Sequence, residues 1–295
     1  MNTNYFTIYA DFLNTHINVK EKLKVVCDSS NGTTGSVLRE LKNIPNLELT
    51  LINDIADPEF PAHGPNPLLA GGTKQLGEKV IEIGADFGVA FDADGDRAFF
   101  VDEKGELIPS YIACMLLFKH FKPPYVADEW VYKSLEYIKA FPDNELIRSK
   151  VGTRFLKEKI IEHKANTAGE FSGHYYYSDF FGSDSGIFSM ITMANIVSTL
   201  EAPLSEFMKT VPEHYVLNDD IKLGNKTWAE VEPKVRALAA EHNAKIETLE
   251  GITLDLGHVW VNMRTSNTEP IVRMCAGGKN LDEVKEFIEK LKALV

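Results

Sequence analysis

The sequence predicts an α/β protein built in three parts, and three observations lead there. Short apolar, strand-like runs alternate with helical spacing over the first hundred residues, the pattern of an α/β domain with a largely parallel sheet. A second alternating segment begins after the Lys104-Gly105 turn, and the pattern changes again beyond Glu201-Ala202-Pro203 and Val211-Pro212. An acidic run, Asp92-Ala93-Asp94-Gly95-Asp96-Arg97, closes one of the apolar strands. In open α/β sheets ligands gather at the carboxyl ends of strands.

Residues 5–20 read as a short helix with Phe6, Tyr9, Phe12 and Leu13 on one side. Leu23 to Cys27 is a strand ending at Asp28. The small residues from Ser29 to Gly35 then turn the chain into a helix from about Ser36 to Leu41. That turn either cradles an anion or simply joins strand to helix. Leu47 to Ile52 is a second strand. Phe60 to Pro67 is a proline-stiffened loop whose His63 reads as a structural hydrogen-bonding residue. Leu76, Val80 and Ile83 give helical spacing, and Gly84 ends that helix before the strand Phe87 to Phe91.

In the second segment Tyr111 to Phe118 is an apolar helix and Tyr125 to Ala127 a strand. Helices follow at Ser134 to Phe141 and Arg154 to His163. The cluster Gly169-Glu170-Phe171-Ser172-Gly173-His174 offers directional donors and acceptors of the kind a polyhydroxyl ligand needs; a plain tight turn is the alternative. Tyr175-Tyr176-Tyr177 suits either the flank of a sugar or a core strand. Asp184-Ser185-Gly186 caps a helix from Ile187 to Leu200.

Beyond the linker region come a helix from Val231 to His242, a strand from Val259 to Met263 and the loop Arg264-Thr265-Ser266-Asn267-Thr268-Glu269-Pro270. A strand from Ile271 to Cys275 follows. Asn280 with Glu283 forms a capping box for an amphipathic helix carrying Leu281, Val284, Phe287, Ile288 and Leu291. The Arg264 loop combines a guanidinium with hydroxyls and an amide, a composition that grips phosphate or makes a polar hairpin.

Composition narrows the function. With 295 residues, 44% hydrophobic and 25% charged, the chain is expected to be a soluble globular protein of two or three domains. A net charge of −12 argues against a nucleic-acid binder. Cys27, Cys114 and Cys275 lie in apolar surroundings without metal-ligand spacing and read as buried thiols of a reducing cytosol. No signal peptide and no apolar run of about 18 residues is visible, so a cytoplasmic location and no membrane partner are expected.

The acidic run carries the chemistry. Asp92, Asp94 and Asp96 alternate, and Gly95 allows the turn that lets them converge. Three like charges so close are tolerable when a hard divalent cation neutralises them, and an all-oxygen set suits Mg²⁺ and phosphoryl chemistry. A solvated hairpin turn is the bland alternative. A calcium EF-hand fits poorly, because Arg97 stands where glycine is required and the flanks read as strands. An Asp-x-Asp-Gly phosphatase of the haloacid dehalogenase type, with Asp92 as nucleophile, is the third alternative.

Taken together, the loops Asp92–Arg97, Gly169–His174 and Arg264–Pro270, with Phe60–Pro67 and Lys150-Val151-Gly152, resemble the α-D-phosphohexomutase superfamily in order and spacing. The resemblance covers essentially the whole chain and displaces the dehalogenase reading. It implies two phosphohexomutase-type α/β/α domains, residues 1–106 and 107–210, followed by a smaller α+β domain, residues 211–295. It further implies transfer of phosphate between the 6- and 1-positions of a hexose such as glucose or mannose. Asp92, Asp94 and Asp96 would then be Mg²⁺ ligands, and Arg97 would stabilise the transferring phosphoryl group. Glu170 and Ser172 would grip sugar hydroxyls, and His174 closes the same substrate-binding motif. Arg264, Ser266, Asn267 and Thr268 would hold the non-reacting phosphate.

Three features depart from the family. Its phosphoserine loop, Thr-x-Ser-His-Asn-Pro, does not occur in the sequence. Thr153 stands where many relatives place a histidine, and no lysine is found at Asp128-Glu129-Trp130 where some relatives use one near the sugar. Two function classes follow. One is a mutase component, inactive alone, with a separate phosphoserine domain as partner; the other is a non-catalytic phosphosugar-binding or regulatory protein.

Overall fold

The computed structural model describes residues 4–42, 44–69, 71–266 and 271–295. In chain order the first elements are α1 (Tyr5–Asn14), β1 (Leu23–Asp28), α2 (Thr34–Leu38), β2 (Leu47–Ile52), α3 (Lys74–Ile83), β3 (Phe87–Phe91), β4 (Ala98–Val101), α4 (Ser110–Lys119) and β5 (Tyr125–Asp128). Next come α5 (Glu129–Tyr137), β6 (Leu146–Ser149), α6 (Thr153–His163), β7 (Thr167–Gly169), β8 (Tyr175–Tyr177), β9 (Ser183–Asp184), α7 (Gly186–Val197) and α8 (Leu204–Thr210). The last group is β10 (Tyr215–Lys222), α9 (Trp228–Glu241), β11 (Lys245–Glu247), β12 (Ile252–Asp255), β13 (Val259–Thr265), β14 (Ile271–Gly278) and α10 (Leu281–Lys292).

These elements form two compact units: Met1–Val126 with Lys157–Val211, and Ala127–Leu156 with Pro212–Val295. The first unit holds a sheet of order β2-β1-β3-β4. Its first three strands are parallel and β4 returns antiparallel to β3. β3 is buried along its whole length, which explains its unbroken apolar sequence. Val26, Leu76, Val80, Ala90 and Val101 pack together around it. α3 ends at Gly84, whose φ of 60° is the left-handed C-terminal stop expected of glycine. Antiparallel β7-β8-β9 belong to the same unit, and the three tyrosines of β8 are core residues. Ser185 caps α7, its Oγ accepting from Phe188 N at 3.1 Å.

The second unit is built on an antiparallel sheet of order β10-β14-β13-β12-β11. One face carries Leu254, Val261, Met263, Met274 and Ala276, which pack with Val231, Val235, Val284 and Phe287 of α9 and α10. The other face carries Thr253, Asp255 and Asn262, and α5 bonds to all three. The strand period of two puts the apolar residues on one face and the polar ones on the other.

Several expected elements fall elsewhere. α1 stops at Asn14 rather than continuing to residue 20. The helix expected over 134–141 runs from Glu129 to Tyr137 with Asp128 as its N-cap. The stretch read as linker holds α8, and β10, β11 and β12 were not anticipated. At α10 Asn280 accepts from the Asp282 and Glu283 amides, while the reciprocal capping box lies at α9, between Thr227 and Glu230. All three cysteines are buried and free. Among the described residues no helix is long and apolar enough to cross a membrane.

Candidate functional site

The acidic loop belongs to the first unit and joins β3 to β4 as a hairpin in which Phe91 pairs with Ala98. Gly95 takes a φ of 79°, so the backbone reverses as the sequence requires. The turn after β1 buttresses it. Ser30 Oγ donates to the Phe91 carbonyl at 2.5 Å, Thr33 N to Ala93 O at 2.9 Å and Thr33 Oγ1 to Asp94 O at 3.2 Å. A Cβ on Gly32 would fall 2.4 Å from Ala93 O, so glycine is what permits this approach. The small residues from Ser29 thus join strand to helix and spend donors on the acidic loop. His63 is structural: its Nε2 lies 3.0 Å from Asp28 Oδ2.

One carboxylate oxygen each from Asp92, Asp94 and Asp96 lies within 4.8 Å of the others. Asp92 is 1% exposed. Arg97 folds back on it, Nε at 2.5 Å from Oδ2 and the backbone N at 3.1 Å from Oδ1. Asp96 Oδ1 is buried and, among the described residues, accepts no hydrogen bond. Burial pushes Asp96 up to about 6; Asp92, Asp94 and Asp184 add to the rise and His174 opposes it. A crowded set of carboxylate oxygens, one lacking a donor, fits a hard divalent cation.

The Gly169–His174 loop meets the acidic loop inside this unit. Ala98 N donates to Gly173 O at 3.0 Å, and His174 Nε2 sits 3.4 Å from Asp96 Oδ1. Ser172 Oγ lies 2.8 Å and Glu170 Oε2 3.3 Å from His174 Nδ1, and Tyr176 donates its hydroxyl to Glu170 at 2.9 Å. Burial disfavours the His174 cation, yet the Glu170 bond and the carboxylates of Glu170, Asp96 and Asp184 outweigh it and raise the imidazole above its ordinary range. Asp184 shares a second cluster with Asp96 and His174. Sequence reasoning missed it, because Asp-Ser-Gly before a helix reads as a cap.

The second unit holds Arg264 in β13. Its Cζ lies 5.6 Å from the centroid of the Trp130 ring, and its Nε is 3.9 Å from Glu250 Oε1. Trp130 Nε1 donates to Asn262 Oδ1 at 2.7 Å. Asn262 Nδ2 in turn donates to Glu250 O at 2.6 Å and to Thr253 Oγ1 at 2.9 Å. Thr253 donates to Glu129, a fully buried carboxylate paired with Arg148, which also pairs with Glu247. Burial pushes Glu250 up, opposed by Arg264 and Lys150. Ser266 N donates to Ile271 O at 2.9 Å, while Asn267 and Thr268 lie outside the described residues. Trp130 and Glu250 carried no signal in the sequence; only the fold brings them to Arg264.

The domain II model of the phosphoglucomutase/phosphomannomutase family matches residues 4–105 and its domain III model matches residues 134–215. The chain belongs to the α-D-phosphohexomutase superfamily. A phosphomannomutase of Salmonella montevideo is 32% identical over 278 residues, covering 90% of this chain and 61% of the relative. One from Methanocaldococcus jannaschii is 29% identical over 280 residues, covering 92% of this chain and 61% of its own length. The chain therefore spans about three-fifths of these relatives. A phosphoglucomutase/phosphomannomutase family protein of Burkholderia thailandensis superposes with a TM-score of 0.82 at 24% identity, over 99% of this chain and 65% of that one. Aspergillus fumigatus N-acetylphosphoglucosamine mutase, solved with GlcNAc-6P and magnesium, gives 0.69 at 13% identity over 99% and 65%. These likenesses fix the α/β architecture and its sheet-rich C-terminal part. The strands flanking the acidic loop remove the EF-hand reading, and the family match removes the dehalogenase one.

Proposed function

We propose that this phosphohexomutase-like chain binds hexose phosphates, of the mannose or glucose 1- and 6-phosphate type, and Mg²⁺. The observation that carries the reading is the convergence of Asp92, Asp94 and Asp96 within 4.8 Å in a phosphohexomutase fold. Those carboxylates would hold the ion, which when bound supplies positive charge against phosphoryl oxygens. Arg97 would stabilise charge on a phosphoryl group in transit. Glu170 and Ser172 are assigned to sugar hydroxyls, His174 to the same substrate-binding motif, and Arg264, Ser266, Asn267 and Thr268 to a phosphate. The division into domains at residues 1–106, 107–210 and 211–295 belongs to the same reading, as do a separate phosphoserine domain as partner and a cytoplasmic location.

A second reading, a phosphosugar-binding protein without turnover, is favoured by one feature of α5. Its ionisable groups nearest the Trp130 position are already committed: Glu129 to Arg148 and Thr253, Lys133 to Glu136 and Asp255.

Calorimetry with glucose 6-phosphate and glucose tests the binding common to both readings. A charge-assisted phosphate contact contributes about 1.5–3 kcal/mol, so Arg264→Ala should weaken glucose 6-phosphate binding by about ten- to hundredfold. Glucose itself should bind poorly. Equal binding of the two ligands would contradict the proposal.

A further inference from the structure

We propose that Trp130 is a positioning residue for the Arg264 phosphate grip, a platform that holds the guanidinium in one orientation; this rests on the phosphate role proposed for Arg264. The indole is 8% exposed and lies 5.6 Å beneath the guanidinium carbon. It is not free to turn, because its N–H is bonded to Asn262, whose amide is fixed by Glu250 O and Thr253. Asn262 and Arg264 are two apart on β13, so anchor and arginine share one face of the strand.

A guanidinium held over an aromatic face by a cation–π contact keeps the N–H groups of its edge available to an anion. Among the described residues the carboxylate of Glu250 stands 3.9 Å from Nε, beyond hydrogen-bond range. Among the described residues the guanidinium therefore meets the indole face rather than a hydrogen-bonding carboxylate partner at Nε. An arginine on an open surface loses rotamer freedom when it binds; one already held over an aromatic face has lost part of it beforehand.

The test is calorimetric titration of the 295-residue chain with glucose 6-phosphate. Trp130→Leu should weaken binding about three- to thirtyfold, the span of a partly desolvated cation–π contact. Trp130→Phe, which keeps a face, should recover most of it. In an Arg264→Ala background Trp130→Leu should cause little further loss, since the platform would have nothing to hold. An equal loss in both backgrounds would show mere structural damage and overturn the proposal. So would a folded Trp130→Leu protein that binds like wild type while Arg264→Ala does not. If Trp130→Leu fails to fold, Trp130→Tyr and Trp130→Phe in both backgrounds decide the matter: near-wild-type affinity on an intact Arg264 supports the platform, and a thirtyfold loss contradicts it. Should Arg264→Ala alone bind normally, the phosphate reading itself fails.

Discussion

His214 is 8% exposed, with its ring stacked on Tyr137 at 4.7 Å and 6.2 Å from that of Trp260. Burial lowers its pKa from 6.5 to about 4, a backbone bond with Gly278 opposing the shift. Unfolded, the imidazole takes up a proton near 6.5; folded, it resists until about 4. Between those values the unfolded state binds more protons, so this contribution is fully present above 6.5 and is lost as pH falls toward 4. Its full size is about 3 kcal/mol. Melting curves from pH 7 to pH 4 should show a loss that His214→Phe reduces, and an NMR titration placing His214 near its ordinary value would contradict the assignment. At this scale the sequence was legible where the residue type alone sets the job. The convergence of the alternating aspartates, the turn at Gly95 and the structural His63 were readable. Asp184, Trp130 and Glu250 were not, because a lone carboxylate or indole signals nothing until a distant strand is laid beside it.

α5 shows why elements vary in legibility. Strands β2 and β3 and helices α3 and α10 have one apolar face or are apolar throughout, so periodicity finds them. α5 packs a polar face, through Glu129, Trp130 and Lys133, on a polar sheet face, and its apolar pattern therefore points to the wrong register. The edge strands β10 and β11 are exposed or half-buried at every residue but Ile221, so they too lack a clear apolar period. The ion network under α5 has an energetic consequence. Glu129 is fully buried, and Arg148 neutralises it while also meeting Glu247. Removing one partner strands a buried charge, so Arg148→Ala should cost about 3–5 kcal/mol in chemical denaturation. A loss below about 1 kcal/mol, the range of an exposed pair, would show that water reaches the network.

At the scale of the whole molecule, family membership and activity are separate matters. The chain spans about 61% of the phosphomannomutases it matches, and its sequence contains no Thr-x-Ser-His-Asn-Pro loop to carry the phosphoryl group. Positioning and electrostatics supply most of the catalysis in phosphoryl transfer, but they do not replace the group transferred. The 295-residue chain by itself should therefore not convert glucose 1-phosphate to glucose 6-phosphate in a coupled assay with Mg²⁺ and bisphosphate activator. Robust turnover abolished by Asp94→Asn would point to another nucleophile in this sequence.

The acidic loop is the centre of the proposed site, and Mg²⁺ binding tests it most directly. Asp92, Asp94 and Asp96 offer three carboxylates within 4.8 Å, with Asp92 already engaged by Arg97, so binding should be weak but measurable by calorimetry. Asp94 is exposed and makes no side-chain bond that supports the fold among the described residues, so Asp94→Asn should leave the melting temperature unchanged. It should weaken Mg²⁺ and Mn²⁺ about tenfold or more. Equal binding of both ions by wild type and Asp94→Asn would contradict the assignment.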